Sequence, residues 1–205
     1  REGVMSVLRP RGVNVCRLLL AATFILSGFI KAIDPLGTQY KLHDYLTAMS
    51  LDALVPSWAT LVAAVILAAV EFALGMYMLF AIERRRTTRM VLVLMACLTA
   101  LTVWIAAADP VEDCGCFGDA ITLTNTQTLV KNIVLTACAA VTAVWPRSMP
   151  RLISKSNQWI VRNYTIVFVI ATSTVCLYGL PMFDFRPYHV GADLRKGMEI
   201  PEGAQ

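Results

Sequence analysis

Five apolar runs, each near the length of helix needed to cross a bilayer, dominate this chain of 205 residues. A hydrocarbon core takes about 20 apolar residues as α-helix. The runs fall at about 13–33, 57–82, 90–108, 127–145 and 164–180. A closed β-barrel is the other way to span a membrane, but it needs period-two alternation, which these runs lack. Composition agrees: 57% of residues are hydrophobic and 16% are charged. A soluble domain does not need that much apolar surface. The pattern predicts an all-α, polytopic membrane protein. The first run is too long for a removable signal peptide and lacks a small-residue cleavage pattern, so it reads as a retained helix.

Charge predicts the orientation. Arg1, Arg9, Arg11 and Arg17 precede or open the first run. Arg84, Arg85, Arg86 and Arg89 fill the second link, and Arg147, Arg151, Lys155 and Arg162 the fourth. That is 12 of the 18 basic residues on one side, joined by Glu2 and Glu83. The other side carries six basic residues and 11 of the 14 acidic ones. Basic residues near helix ends mark the cytoplasmic face. The expectation is a bacterial inner-membrane protein with a cytoplasmic N-terminus and a periplasmic C-terminus. The net charge of +4 then reflects loops beside anionic lipid and calls for no nucleic acid.

Outside the runs, residues 38–54 space Leu42, Tyr45, Leu46, Met49 and Ala53 on one helical face, with Lys41, His43 and Asp44 mostly elsewhere. This predicts an amphipathic helix lying on the outer surface or lidding the bundle. Pro35-Leu36-Gly37 separates it from the first span. The expected organisation is a bundle over 1–146, a basic loop and fifth span over 147–181, and an outer tail or linker over 182–205. A further periplasmic domain would continue from that tail.

The chemistry concentrates in the segment Asp113-Cys114-Gly115-Cys116-Phe117-Gly118, which the charge rule puts outside, where disulfides persist. Cys114 and Cys116 close a small ring only if the backbone bends sharply, and Gly115 permits that. A strained, exposed disulfide is readily reduced, and such bonds tend to be catalytic or regulatory. An inert staple is the plainer reading, although so short a loop removes little chain entropy. A metal site is a third, short of nearby Cys or His ligands. Asp109, Glu112, Asp113 and Asp119 disfavour thiolate, so a partner protein or Lys131 on the next helix would have to activate the pair.

Elsewhere, Cys16, Cys97 and Cys138 read as small buried hydrophobes. Cys176, near the outer end of the fifth span, is a candidate resolving thiol. Glu71 lies mid-span, where a carboxylate costs a few kcal/mol. It must face the interior, be protonated or find a donor. It reads either as a proton or quinone site or as a packing hydrogen bond, and Gly75 one turn on permits close helix approach. Lys31 and Asp34 end the first span. Snorkelling is the default for Lys31, with Asp34 or the acidic loop as other partners. His43 reads as an exposed bystander or a proton carrier.

Two stretches, 27–46 and 113–132, resemble the DoxX-like membrane proteins, and within them the MauE-like, DCGCFG-containing branch of Bacteroidota type. The Asp-Cys-Gly-Cys-Phe-Gly segment is the most specific part. Ser27-Gly28-x-x-Lys31 with Asp34-Pro35 follows, and Glu71 to Gly75 adds a shorter match. The resemblance covers about 13–145. It implies a four-helix membrane bundle linked to methylamine dehydrogenase maturation, which assists disulfide formation beside a thioredoxin-like partner. Other relatives imply thiosulfate and quinone redox chemistry. The fifth span departs from that pattern. The expected function is a thiol–disulfide oxidoreductase relaying electrons between a periplasmic thioredoxin-like protein and a membrane quinone through Cys114 and Cys116. The alternative is a non-catalytic scaffold or subunit of a larger membrane complex, with a structural disulfide. A transporter would need paired broken helices, which the sequence does not suggest.

Overall fold

The computed structural model describes residues 2–108 and 124–179. Among the described residues six α-helices follow one another: α1 (Glu2–Ile33), α2 (Pro35–Ala48), α3 (Ser57–Phe80), α4 (Arg84–Ala108), α5 (Asn125–Val144) and α6 (Gln158–Tyr178). All but α2 contain a stretch long and apolar enough to cross a bilayer. The described chain is thus an all-α, polytopic membrane protein, as its composition predicts. The Cys114–Cys116 segment and the tail from 180 onward lie outside the described residues.

The surface is inverted relative to a water-soluble fold. Large apolar side chains such as Val15, Leu19, Ile66, Val93, Ile133 and Val167 point outward, whereas Glu71, Lys31, Asn132 and a series of threonines are buried. In lipid the hydrophobic effect does not hold helices together; packing and interhelical hydrogen bonds do. Two features show how. Gly28 of α1 lies against the backbone of Phe72 on α3, where a Cβ would come 2.8 Å from the Phe72 Cα. Gly75 of α3 answers it, since a Cβ there would come 2.6 Å from the Ile25 amide nitrogen. The two helices therefore touch backbone to backbone, as the sequence reading of Gly75 anticipates. The α4–α5 pair is joined by polar contacts instead. The Thr99 and Thr136 hydroxyls are 2.7 Å apart, and Asn132 Nδ2 donates to Thr102 Oγ1 at 3.3 Å.

Leu20, Phe24, Leu74, Met78, Val91, Met95 and Leu135 fill the space between α1, α3, α4 and α5. Helix α6 docks on the outside of α1 and α3. Phe168 stacks on Phe72, with centroids 5.4 Å apart, and lies near Phe29 at 6.4 Å.

Helix starts follow local chemistry. Asp34 precedes a proline, which disfavours helical backbone at that residue, so α1 stops there. Its side chain then caps α2 by accepting from the Gly37 amide at 2.9 Å. At the start of α5, Thr124 and Gln127 cap each other's backbone amides, the reciprocal arrangement that satisfies two orphan donors.

The amphipathic segment differs from its expected form. The helix begins at Pro35 and ends at Ala48, and a short 3-10 turn, Asp52–Leu54, follows. Ser50, with φ of 57°, interrupts it, which leaves Met49 exposed rather than packed. At the opposite end of the bundle, the link between α5 and α6 folds back beneath the helices. Arg84 Nη1 donates to the carbonyls of Met149 (2.6 Å) and Arg147 (3.1 Å), and Arg17 Nη1 to that of Pro150 (3.1 Å). Met149 is buried against Val13 and Ala81.

Candidate functional site

The close approach of α1 and α3 fixes a buried polar triangle. Ser27 and Lys31 lie one turn apart on α1, so both face α3. Glu71 meets them from the middle of its helix. Lys31 Nζ lies 2.6 Å from Glu71 Oε2 and 2.8 Å from Ser27 Oγ, and Ser27 Oγ donates to the same carboxylate oxygen at 2.7 Å. Lys31 is 5% exposed and Glu71 3%. Taking two such charges out of water costs several kcal/mol each unless they are paired and hydrogen-bonded, and here each partner supplies the other's need. The default expectation for Lys31 was snorkelling. It turns inward instead, because Gly28 brings the two helices close enough for the ammonium to reach a carboxylate.

The triangle opens on a cavity of about 110 Å³ between α1, α3, α4 and α5, with α2 above it. An engineered cavity of about 150 Å³ admits benzene, and this space is about three-quarters of that, close to the size of a single ring. Its walls are mostly apolar, from Phe24, Leu67, Met95, Leu98 and Leu135. Its polar residues are Thr23, Ser27, Lys31, Thr38, Lys41, Tyr45, Glu71, Lys131 and Asn132. Polar groups converging on a mostly apolar cavity are the usual composition of a small-molecule site.

Among the residues singled out in the sequence, Lys31, Glu71 and Lys131 thus meet around one space. Asp34 is buried at the α1–α2 break and caps α2. The spacing of α2 puts Lys41 mostly off its apolar face, yet Lys41 lines the cavity. It lies one turn before Tyr45 and so shares that residue's face. His43 is exposed. Cys176 is buried on α6, which contributes no side chain to the cavity lining among the described residues. Cys16 and Cys138, each reading alone as a small buried hydrophobe, lie beside each other between α1 and α5. Asp113, Cys114, Gly115, Cys116, Phe117 and Gly118 lie outside the described residues.

The ends of the described helices frame the Cys segment's position in the chain. Leu101 lines the cavity about 10 Å of helix before α4 ends at Ala108, and Lys131 about 9 Å after α5 begins at Asn125. The chain joining α4 to α5 therefore departs and returns at the cavity's end of the bundle. Trp58 and Tyr178, at helix ends on that side, are strongly exposed, as aromatic belts at a membrane surface are.

Comparison with curated proteins and with solved structures returns no match. Comparison with protein families gives one, described as methylamine utilisation protein MauE, over residues 9–146. That stretch holds most of α1, all of α2 to α5, the buried triangle and the whole cavity lining, and the chain accordingly belongs to the MauE family.

Proposed function

We propose that this protein is a thiol–disulfide oxidoreductase of the bacterial inner membrane, exchanging electrons between a periplasmic thioredoxin-like protein and a lipid quinone. The observation that carries the reading is the Lys31–Glu71–Ser27 triangle facing a ring-sized apolar cavity, at the end of the bundle from which the Cys114–Cys116 segment is strung. Membership of a redox-associated membrane family supports it. The orientation, with a cytoplasmic N-terminus and the cysteines outside, rests on the basic residues gathered at the other end.

Exchange with the soluble partner needs only the two thiols. A thiolate of the pair attacks the partner's disulfide, forming a mixed disulfide and releasing one partner thiolate. The second thiol of the pair then attacks, closing the Cys114–Cys116 bond and leaving the partner as a dithiol. Two electrons have moved from chain to partner, and the reverse sequence moves them back. Lys131, one and a half turns into α5, is the cation nearest in sequence that stabilises the attacking thiolate.

The donor set fits a quinone head. Ammonium and amide donors serve carbonyl oxygens, a carboxylate serves a hydroxyl, and leucine and phenylalanine walls serve the ring. When bound, a quinone would supply a two-electron, two-proton acceptor or donor. Lys31 would hold an oxygen by donating from Nζ. Glu71 would take or give a proton at Oε2, with Ser27 keeping that oxygen oriented. Leu67, Leu98 and Leu135 exclude water.

The test is a Cys116→Ser trap in the full-length protein in its native membrane. A mixed disulfide with a thioredoxin-like protein, reversed by dithiothreitol and absent from Cys114→Ser, is the expected result. Alkylation that finds Cys114 and Cys116 permanently oxidised through cycles of reductant and oxidant would instead leave the scaffold reading.

A further inference from the structure

The opposite end of the bundle carries a second constellation, unconnected with the redox reading. The first turn of α4 and the α5–α6 link together line an open hollow of about 440 Å³ with Arg84, Arg85, Arg86, Arg147 and Arg151. The acid among its walls, Glu83, is already engaged by Arg86 at 3.1 Å and Arg162 at 3.8 Å. Arg84, Arg85, Arg147 and Arg151 pair with no carboxylate of the described residues. The like charges of Arg151 and Arg147 bear directly on Arg84.

Topology alone does not explain this geometry. Charges that only orient the chain can spread into water, where long side chains avoid one another. Here Arg84 cannot withdraw, because its guanidinium holds the carbonyls of Arg147 and Met149. Those bonds keep the arginine-bearing start of α4 and the α5–α6 link together at the hollow's rim. Behind them, Arg17 is 2% exposed, its Nη1 on the Pro150 carbonyl and its Nε without a hydrogen-bond partner. A buried cation beside converging exposed ones is a region of strong positive potential.

We propose that Arg84, Arg85, Arg147 and Arg151 form a binding site for the phosphate of an anionic phospholipid. Guanidinium forks match phosphate oxygens in bidentate geometry, and basic pockets among helix ends are where anionic head groups bind. The adjoining surface selects a lipid over a free anion. Arg85 and Arg147 also line a neighbouring hollow that continues onto Val144 and Trp145, both exposed on the apolar flank of the bundle. A phosphate held by the arginines would place its acyl chains there.

The experiment uses the full chain in nanodiscs of phosphatidylcholine doped with phosphatidylglycerol, with native mass spectrometry counting retained lipid. Wild type is expected to retain phosphatidylglycerol preferentially. Each arginine beside an anionic head group is worth about fivefold, so Arg151→Gln should weaken the preference about fivefold and Arg147→Gln with Arg151→Gln about 25-fold. Arg11→Gln removes an exposed charge outside the hollow and should leave the preference unchanged. Equal losses from Arg11→Gln and Arg151→Gln would mean a diffuse charge effect and overturn the site. So would a double variant that retains the lipid as wild type does. Inorganic phosphate at millimolar concentration, stabilising the protein in pure phosphatidylcholine as much as phosphatidylglycerol does, would overturn the lipid assignment. If the double variant does not fold, Arg151→Lys carries the same test. It keeps the charge and loses the fork, and an unchanged preference would overturn the bidentate site.

Discussion

Lys31 and Glu71 lie 40 positions apart in sequence and bring Nζ within 2.6 Å of Oε2 in the interior of the bundle. Neither residue has an obvious reason to be where it is without the other. The carboxylate would be a costly intruder in α3, and the lysine would be better placed at the lipid surface. Together with Ser27 they make a polar island that faces a small apolar cavity.

The pair should behave as a unit. Lys31→Met or Glu71→Leu alone leaves a buried charge without its partner and should cost about 3–5 kcal/mol. The double variant should recover most of that loss, because an apolar pair of similar volume demands no solvation. Unfolding by SDS titration, run as a double-mutant cycle, measures the coupling. Additive losses would mean that the two side chains act independently.

Glu71→Gln separates structure from electron transfer. The amide keeps the hydrogen bonds' reach but cannot carry a proton. On the proposed function, thiol exchange with the partner protein should continue, while quinone-linked turnover should fall about 10²–10⁴-fold, the usual worth of a positioned proton-transfer group. Quinol formation in proteoliposomes, followed beside alkylation of Cys114 and Cys116, reads both arms. Equal slowing of both arms would assign Glu71 a packing role.

Gly28→Ala should destabilise the protein by about 1–3 kcal/mol, the cost of overpacking a filled interface. A Cβ at this position runs into the Phe72 backbone, which has no flexible end to yield. Gly12→Ala is the matched control, since a Cβ there meets nothing within 4 Å. It should be neutral or gain slightly from helix propensity. Thermal unfolding in detergent distinguishes them.

Asp34→Ala removes the cap of α2 and should cost about 1 kcal/mol. The loss should be local. Hydrogen exchange should quicken over residues 37–48 and leave α5 as it was. Asp34→Asn, which can still accept from the Gly37 amide, should restore most of the protection.

Much of the architecture can be read from the chain because membrane insertion is written in composition: each span is a continuous apolar run, and α2 interrupts them at Pro35. The site is only partly legible. Glu71 announces itself as an acid in an apolar helix, and Gly75 beside it announces close packing. Lys31 does not announce its role, because lysines at helix ends usually reach outward. Its inward turn depends on Gly28 and Gly75 setting the α1–α3 register, a tertiary fact with no local signature. Lys41 was misplaced for a similar reason. The apolar residues of α2 define a broad face, and only its seating over the bundle shows that the Lys41–Tyr45 edge is the one turned down. The Cys16–Cys138 contact needs the α1–α5 packing, which neither residue reveals alone.

The break at Asp34 ties α2 to the polar island mechanically. Lys31 sits three positions before it and Lys41 seven after, with the capped turn between them leaving little slack. A protein pressing on α2 would lean on the end of α1 as well. Docking at the surface and the alignment of Lys31 with Glu71 would then be one event, and a visitor would be sensed inside the bilayer without anything crossing it.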